Sequence, residues 1–568
     1  MKNNFLIILS LFYITCLEAR AYKSLDIRNE KIEENKQLKK EIDRKIQNID
    51  NQKLDNIDMD YLKKEENKIN KINIEKQDIS LKKIFLDGEH PLKEKLQKEI
   101  KKFLNAEMDE KNIYLIIEYI NKRLVEDGYV TSFSSFKKGN VYDGYLELEI
   151  KAGKINEIYF ETKKDKGFRE RQEIFFAFPY YKDKVLNTKY LDQGIENLSM
   201  GRKQNQLEIV QSDKEGYSDI IIHQKEDIGN FGINYDNSPI EKDRNKLAFN
   251  YNGGNILPIN DSFGISYSTN LGKDYTKNKD ENLNFSYAIP FGYYKFSYNL
   301  GINKTHSVVK GNTTNITRDG KVKKQKFKLS RIITRGKYNK MTGYVFFGQR
   351  ENETYINNEK ILINSKTYST TGLGVNYSDK FLGGNIYLGL EYEKGVPWFR
   401  AEGDKNYNPK LPKKEFQKYS LNVDWGRYFL LQNKDVLGFR SSFLGVYSND
   451  RLLNINKMSI GDDYTVRGFK ENSISGEKGA YISNTLTYYF SEEKHPYIHA
   501  INPFVGLDAG TLKDKDNSSR ESIIGMAYGV KFQKNGFNGS LMVSRALKTE
   551  QRHKNEGNVI SFNFGHSF

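Results

Sequence analysis

The chain has 568 residues, carries a net charge of +16 and holds 38 tyrosines, 34 phenylalanines and a single cysteine. That length leaves room for several domains, and an aromatic share of 13% is unlike the Leu- and Val-rich core of a soluble enzyme. It suits a protein that shows Tyr and Phe to a membrane interface, while the even mixing of lysine with acidic residues, without a long basic block, argues against nucleic acid as a partner.

Residues 1–21 have the layout of a secretory signal peptide. Lys2 supplies the positive start, Phe5 to Leu17 a mostly apolar run, and Ala19-Arg20-Ala21 a small-x-small cleavage site. Cys16 lies inside this segment, and Ile14-Thr15 before it does not suit a lipoprotein site. A cleaved chain would hold neither disulfides nor thiolate-bound metal. No later stretch approaches about 18 apolar residues, so any membrane crossing is expected to be made by strands.

Residues 22–76 are densely charged and contain no proline. Leu25, Ile32, Leu38, Ile42, Ile46 and Ile49 mark a thin helical stripe. A helix this polar is either a solvated spacer or a plug in a polar pore, and periodicity does not separate the two.

Residues 77–153 and 154–227 read as two copies of one β-α-α-β-β pattern. The first copy predicts a strand at Lys82 to Leu86, helices at Pro91 to Leu104 and Glu110 to Glu126, and strands at Tyr129 to Phe136 and Tyr142 to Ile150. The second predicts a strand at Ile155 to Glu161, helices near Phe168 to Phe176 and Thr188 to Leu198, and strands at Gln206 to Gln211 and Tyr217 to His223. Neither copy holds a catalytic cluster, and both read as interaction modules.

From 228 to 568 the texture becomes segments of about ten residues that alternate apolar and polar, the signature of half-buried strands. Leu283, Phe285, Tyr287 and Ile289 alternate with Asn284, Ser286 and Ala288; Tyr294, Phe296, Tyr298, Leu300 and Ile302 do the same. Aromatic faces opposite Asn, Ser, Gly and Lys fit lipid outside and water inside, and short turns such as Lys534-Asn535-Gly536 occur beside much longer polar connectors. The last strand ends on Phe564 and Phe568, as is typical of barrels inserted into a bacterial outer membrane. About 20 residues per strand and connection predict roughly 16 strands.

Two stretches stand out within this region. Val466-Arg467-Gly468-Phe469 lies in a connector of about twenty residues, far beyond ordinary hairpin loops. In Phe504-Val505-Gly506-Leu507-Asp508-Ala509-Gly510, period two puts Val505, Leu507 and Ala509 on one face and Phe504, Gly506, Asp508 and Gly510 on the other. A carboxylate facing lipid is costly, so Asp508 should face the lumen, and the glycines beside it leave room for close approach.

With these two motifs, the chain resembles the two-partner secretion transporters of the haemolysin/adhesin secretion-activation type, within the outer-membrane assembly superfamily whose periplasmic modules are POTRA domains. Val466-Arg467-Gly468-Phe469 is similar to the family's sixth-loop motif. Ser459-Ile460-Gly461-Asp462 resembles its approach, with Asp462 in place of a second glycine, and Gly476-Glu477-Lys478-Gly479 resembles its exit, although Thr485 stands where an acidic residue is common. The resemblance implies two periplasmic POTRA domains before a transmembrane antiparallel barrel, and a loop folded back into the pore with Arg467 on Asp508. It implies export of a large β-helical exoprotein, adhesin or haemolysin, recognised by its N-terminal secretion domain. Outer-membrane lipids and, during biogenesis, the barrel-assembly machinery would be the other partners. A barrel-assembly factor is the first alternative and a passive porin or surface adhesin the second.

An enzyme is not expected, nor a cofactor or metal. The seven histidines are scattered, His495 and His499 are separated by Pro496, and there is no nucleophile elbow or phosphate loop.

Overall fold

The computed structural model describes residues 30–41, 43–44 and 80–568, apart from 106, 108–109, 141–142, 162–166, 202–203, 226–228, 238–244, 273–276, 311–314, 337, 363, 406–407, 517–518 and 551–555. The expected signal peptide, with Cys16, and most of the 22–76 segment lie outside the described residues.

Helical spacing builds the first small unit. Ile116, Ile120 and Leu124 recur every four residues along the helix Glu110–Glu126 and bury one stripe against Leu146, Leu148 and Ile150, which share a face of the strand Tyr145–Lys151. That strand is central, parallel to Lys83–Asp87 and antiparallel to Phe133–Asn140. The last of these begins four residues later than its alternation predicts. Tyr129 N–H still bonds the Leu124 carbonyl at 2.8 Å, and Ser132 N–H bonds that of Tyr129, so the exit from the helix consumes Tyr129–Ser132 as turns.

The second unit repeats the plan. Strand Tyr217–Lys225 lies between Lys154–Phe160, parallel, and Gln204–Gln211, antiparallel, with helices Phe168–Ala177 and Thr188–Leu198 on one face. Ile155, Ile158, Ile174, Leu191, Ile220 and Ile222 fill its core around Phe178. A side chain at Gly194 would strike the Phe178 ring, so the helix can lie on the ring only because that residue is glycine.

Sixteen antiparallel strands then close a barrel, the last strand Asn558–Ser567 pairing with the first, Asn230–Asp236. Closure removes both sheet edges, which is what allows strands to cross a hydrocarbon layer. The alternating phases behave as sheet geometry requires: Val505 and Leu507 are exposed on the outside, while Phe504 and Asp508 are buried on the inside. One rim has tight turns, such as Lys534 to Phe537, and the other carries long connectors, including 397–416 and 448–477.

The second small unit sits on the tight-turn rim. Gly292 N–H donates to Phe176 O at 2.9 Å and Asn197 Nδ2 to Gly292 O at 2.8 Å. Glu196 receives Arg335 Nη1 at 2.6 Å and Lys340 Nζ at 2.5 Å, two cations from neighbouring barrel strands.

The described part of the charged N-terminal segment is a helix over residues 30–41 inside the barrel. Glu33 pairs with Lys246 at 2.8 Å, Glu34 with Lys324 at 2.8 Å, and Lys36 with Asp236 at 3.1 Å; Glu30 meets both Lys324 and Arg350. These partners come from four different strands, so the polar faces of the helix are satisfied by a polar wall.

Candidate functional site: the inserted loop and its anchor

The connector between Val436–Tyr447 and Lys478–Tyr489 runs over residues 448–477, longer than the twenty or so residues expected. The difference arises because Met458–Ile460, strand-like in its alternation, pairs with Ile474–Gly476 of the same loop rather than with the barrel. This two-stranded ribbon carries its own apolar edge. Met458, Ile460, Val466, Phe469 and Ile474 pack on Leu512, Ile523 and Ala546, apolar side chains on the inner face of the wall. A loop with that much apolar surface gains by turning inward, at roughly 25 cal/mol per Å² removed from water.

Arg467 is the polar centre of this contact. Its Nε donates to Asp508 Oδ2 at 2.6 Å and its Nη2 to Oδ1 at 2.7 Å, a two-pronged fork. Its backbone N–H adds a third bond to Oδ2 at 3.0 Å, Nη2 also reaches the Asn484 carbonyl at 2.9 Å, and Ser483 Oγ donates to Oδ1 at 2.8 Å. Both side chains are 5% exposed or less, so each charge depends on the other for compensation.

Glycines make the approach feasible. A β-carbon at Gly506 would fall 2.1 Å from Arg467 Nη2, and one at Gly510 would fall 2.3 Å from Ile460 Cδ1. Gly468 has φ +100°, a left-handed turn that passes against the backbone of Arg545 and Ala546. Val466 and Phe469 lie in the apolar contact, and Phe504 is buried one lumenal step from Gly506, packed with Ala527 and Met542.

The structure therefore brings Val466 and Arg467 of the first motif against Gly506, Asp508 and Gly510 of the second, while Phe504 packs beside them in a separate cluster and Val505 and Leu507 face outward. Asp462, which departs from the glycine of the resembled pattern, accepts Tyr464 N–H at 2.7 Å and Thr465 N–H at 2.9 Å, holding the turn that leads into Val466. It also accepts Asn35 Nδ2 of the lumen helix at 2.9 Å. Glu477, in the Gly-acid-x-Gly stretch, is fully buried, 3.4 Å from Lys457, whose ammonium also reaches Asp514 at 2.9 Å. Thr485 lies across from Gly506. Phe564 sits in the closing strand, and Phe568 N–H continues the closure to Phe231 O at 2.8 Å.

Several contributors were not legible beforehand. Gly525 is one: a β-carbon there would meet the Arg467 carbonyl at 1.6 Å. Glu556 is another, accepting the backbone N–H groups of Lys470, Glu471 and Asn472 at 2.7–2.8 Å. Its only sequence signal is an acidic residue in a polar connector. His495 and His499 lie in a turn; among the described residues no group of three or more His, Cys, Asp and Glu is arranged to hold a metal.

A closed sixteen-strand barrel with two periplasmic α+β modules and an arginine-anchored loop inside its lumen defines a POTRA-domain transporter of the outer membrane. Comparison with known proteins agrees. A family model for the haemolysin secretion/activation proteins ShlB/FhaC/HecB matches residues 216–532, and two POTRA models match 79–153 and 154–210. The chain belongs to this haemolysin secretion/activation family, and it is a two-partner secretion transporter of the outer membrane with its POTRA domains in the periplasm.

Among curated relatives, the outer membrane transporter CdiB of Dickeya dadantii is 26% identical over 443 residues, covering 75% of each chain. The hemolysin transporter protein HpmB of Proteus mirabilis is 24% identical over 443 residues, covering 77% of this chain and 76% of its own. Two solved structures share the fold. CdiB from Escherichia coli has a TM-score of 0.83 at 21% identity, covering 96% of this chain and 99% of that one. CdiB from Acinetobacter baumannii has a TM-score of 0.75 at 20% identity, covering 87% and 91%.

Proposed function

We propose that this transporter exports one large, β-helical exoprotein of adhesin or haemolysin type, that the 448–477 loop is its gate, and that the N-terminal segment plugs the resting pore. The observation that carries the reading is the Arg467–Asp508 fork. It holds a long loop inside the lumen through a buried, two-pronged charge pair with the wall. Asp508 then acts as the wall partner that sets the loop's position, with Gly506, Gly510 and Phe504 shaping the seat.

The lumen helix supports the plug. Its ion pairs reach the wall on several sides, and Asn35 ties it to the loop itself, so displacing one element loosens the other. The exoprotein's N-terminal secretion domain would be caught as an added strand. Strand Phe133–Asn140 is an open sheet edge, and Phe133 and Phe136 are half exposed on it. Transport needs no catalytic chemistry or cofactor here, since folding of the exported chain outside the cell supplies direction. The Phe564- and Phe568-bearing closing strand is the segment offered to the barrel-assembly machinery, and lipids of the outer membrane cover the exterior.

Protein profiles of cells with and without this chain test the reading. Loss of one very large species from the culture supernatant, with the outer-membrane profile intact, is expected. A broad decline of other barrel proteins would instead indicate an assembly factor, and no change in either profile would overturn the proposal.

A further inference from the structure

The second POTRA domain exposes aromatic side chains where it meets the barrel. In the helix Phe168–Ala177, Phe168 is 67% and Phe175 41% exposed, and Tyr180 just beyond is 75% exposed. Steps of three and four put Arg171 on the same stripe between the two phenylalanines. Tyr180 also has φ +57°, a conformation a bulky residue rarely adopts, and its ring lies 6.0 Å from that of Phe175. Solvent alone gives no reason to hold a tyrosine outward in this way.

The direction in which the stripe faces follows from strand alternation. The Phe175 and Phe176 rings both lie 5.6 Å from Phe291, the last residue of the strand Asn278–Phe291. Phe291 is in phase with Leu283, which is exposed and pairs across the sheet with exposed Tyr267; its own cross-strand partner Tyr294 is exposed as well. These side chains form the outer, lipid-facing surface of the barrel, so Phe175 continues that surface past the rim. Beside it the 255–261 turn, tied to the helix by Arg169 donating to Asn255 O at 2.8 Å, presents Ile256 and Leu257, 59% and 51% exposed.

We infer that this face of the second POTRA domain rests in the periplasmic leaflet of the membrane that holds the barrel. Phe168, Phe175, Tyr180, Ile256 and Leu257 enter the interface between headgroups and acyl chains, and Arg171 reaches the lipid phosphates. Tyr and Phe belong at that depth, and a cation between them suits an anionic headgroup layer. The contact extends the barrel's aromatic girdle onto a domain that otherwise stands in water. It orients the domain relative to the membrane plane without occupying the Phe133–Asn140 sheet edge of the first domain.

The test uses the full chain with Cys16→Ser, carrying one new cysteine, Phe168→Cys or Tyr180→Cys, labelled with bimane. The control label is Phe133→Cys, on the first POTRA domain. Each is reconstituted into vesicles of phosphatidylethanolamine and phosphatidylglycerol with brominated acyl chains. Heat-modifiable gel migration checks that the barrel is folded. Labels at 168 and 180 are expected to lose emission through bromine quenching and to shift blue, with the 133 label unaffected; adding Arg171→Glu should reverse part of the loss. Water-like, unquenched emission from 168 and 180 would overturn the inference. So would protection seen only after an exoprotein secretion domain is added, which would make the patch a client surface.

Discussion

Arg467 and Asp508, 41 positions apart, meet through three hydrogen bonds: two from the guanidinium fork and one from the arginine's own backbone N–H. The backbone bond means that the carboxylate positions the chain of the loop as well as the side chain. Asp508 is in turn oriented by Ser483 from the neighbouring strand. The pair thus ties both the side chain and the backbone of the loop to one point of the wall, and setting position in this way is a better-attested use of buried ion pairs than net stability.

Arg467→Ala should leave an inserted, heat-modifiable barrel that secretes much less exoprotein. Removing one partner strands a buried carboxylate, at about 3–5 kcal/mol against the docked loop. Arg467→Lys should fall short of wild type as well, because an ammonium offers no parallel fork. In a double-mutant cycle, Asp508→Ala added to Arg467→Ala should cost less than the sum of the two. Exoprotein in the supernatant is the readout, and normal secretion by Arg467→Ala would rule out the gate role.

Gly525→Ala should act like a loop mutation although it lies in the wall. Its β-carbon would collide with the Arg467 carbonyl, and overpacking of this kind costs about 1–3 kcal/mol. The loop should become more accessible to added protease. Gly426→Ala, whose β-carbon would meet only the Phe439 carbonyl at an ordinary 3.7 Å, should not change accessibility.

The lumen helix is held chiefly by charge, so its release should depend on salt. Glu33→Gln removes the partner of Lys246, and Asp462→Gly removes the shorter of two acceptors of Asn35, leaving the Ser459 carbonyl at 3.3 Å. Single-channel recording in planar bilayers should show both variants open more often than wild type. Raising ionic strength should narrow the difference for Glu33→Gln in particular, since wild-type ion pairs are screened. Equal open times in low salt would count against a plug held this way.

The seat of the second POTRA domain on the rim should weaken in acid. Burial alone would raise the Glu196 carboxyl, but Lys340 and Arg335 more than reverse this and hold it at about 2 against an ordinary 4.5. A depressed value means the docked state favours the ionised form. Its contribution is complete above about 4.5 and is lost as pH falls toward 2. Spin-label distances between the domain and the barrel should broaden across that window, and Glu196→Gln should already be broadened at neutral pH.

Much of the architecture could be read from neighbouring residues. Period two at Leu283–Ile289 and Tyr294–Ile302 placed strands that the structure extends to Asn278–Phe291 and Tyr294–Lys310. Period four at Ile116, Ile120 and Leu124 placed the helix that covers the first sheet. The lumenal side of Asp508 followed from the same alternation, because a carboxylate cannot be left in lipid. Strand ends were less legible, as at Tyr129–Ser132, where backbone turns override an apolar pattern.

The sequence by itself determined the strands, their inward and outward faces and the two repeated modules, because each of these is a periodicity carried by adjacent side chains. Only the tertiary structure decided which charges meet. With 90 basic and 74 acidic residues, no local pattern selects Glu33 for Lys246, Glu196 for Arg335 or Asn35 for Asp462. Those partners are chosen by closure of the barrel, which brings the inner faces of distant strands around one helix and one loop, and by the seating of the second POTRA domain on its rim; both place buried charges against opposite charges far away in the chain.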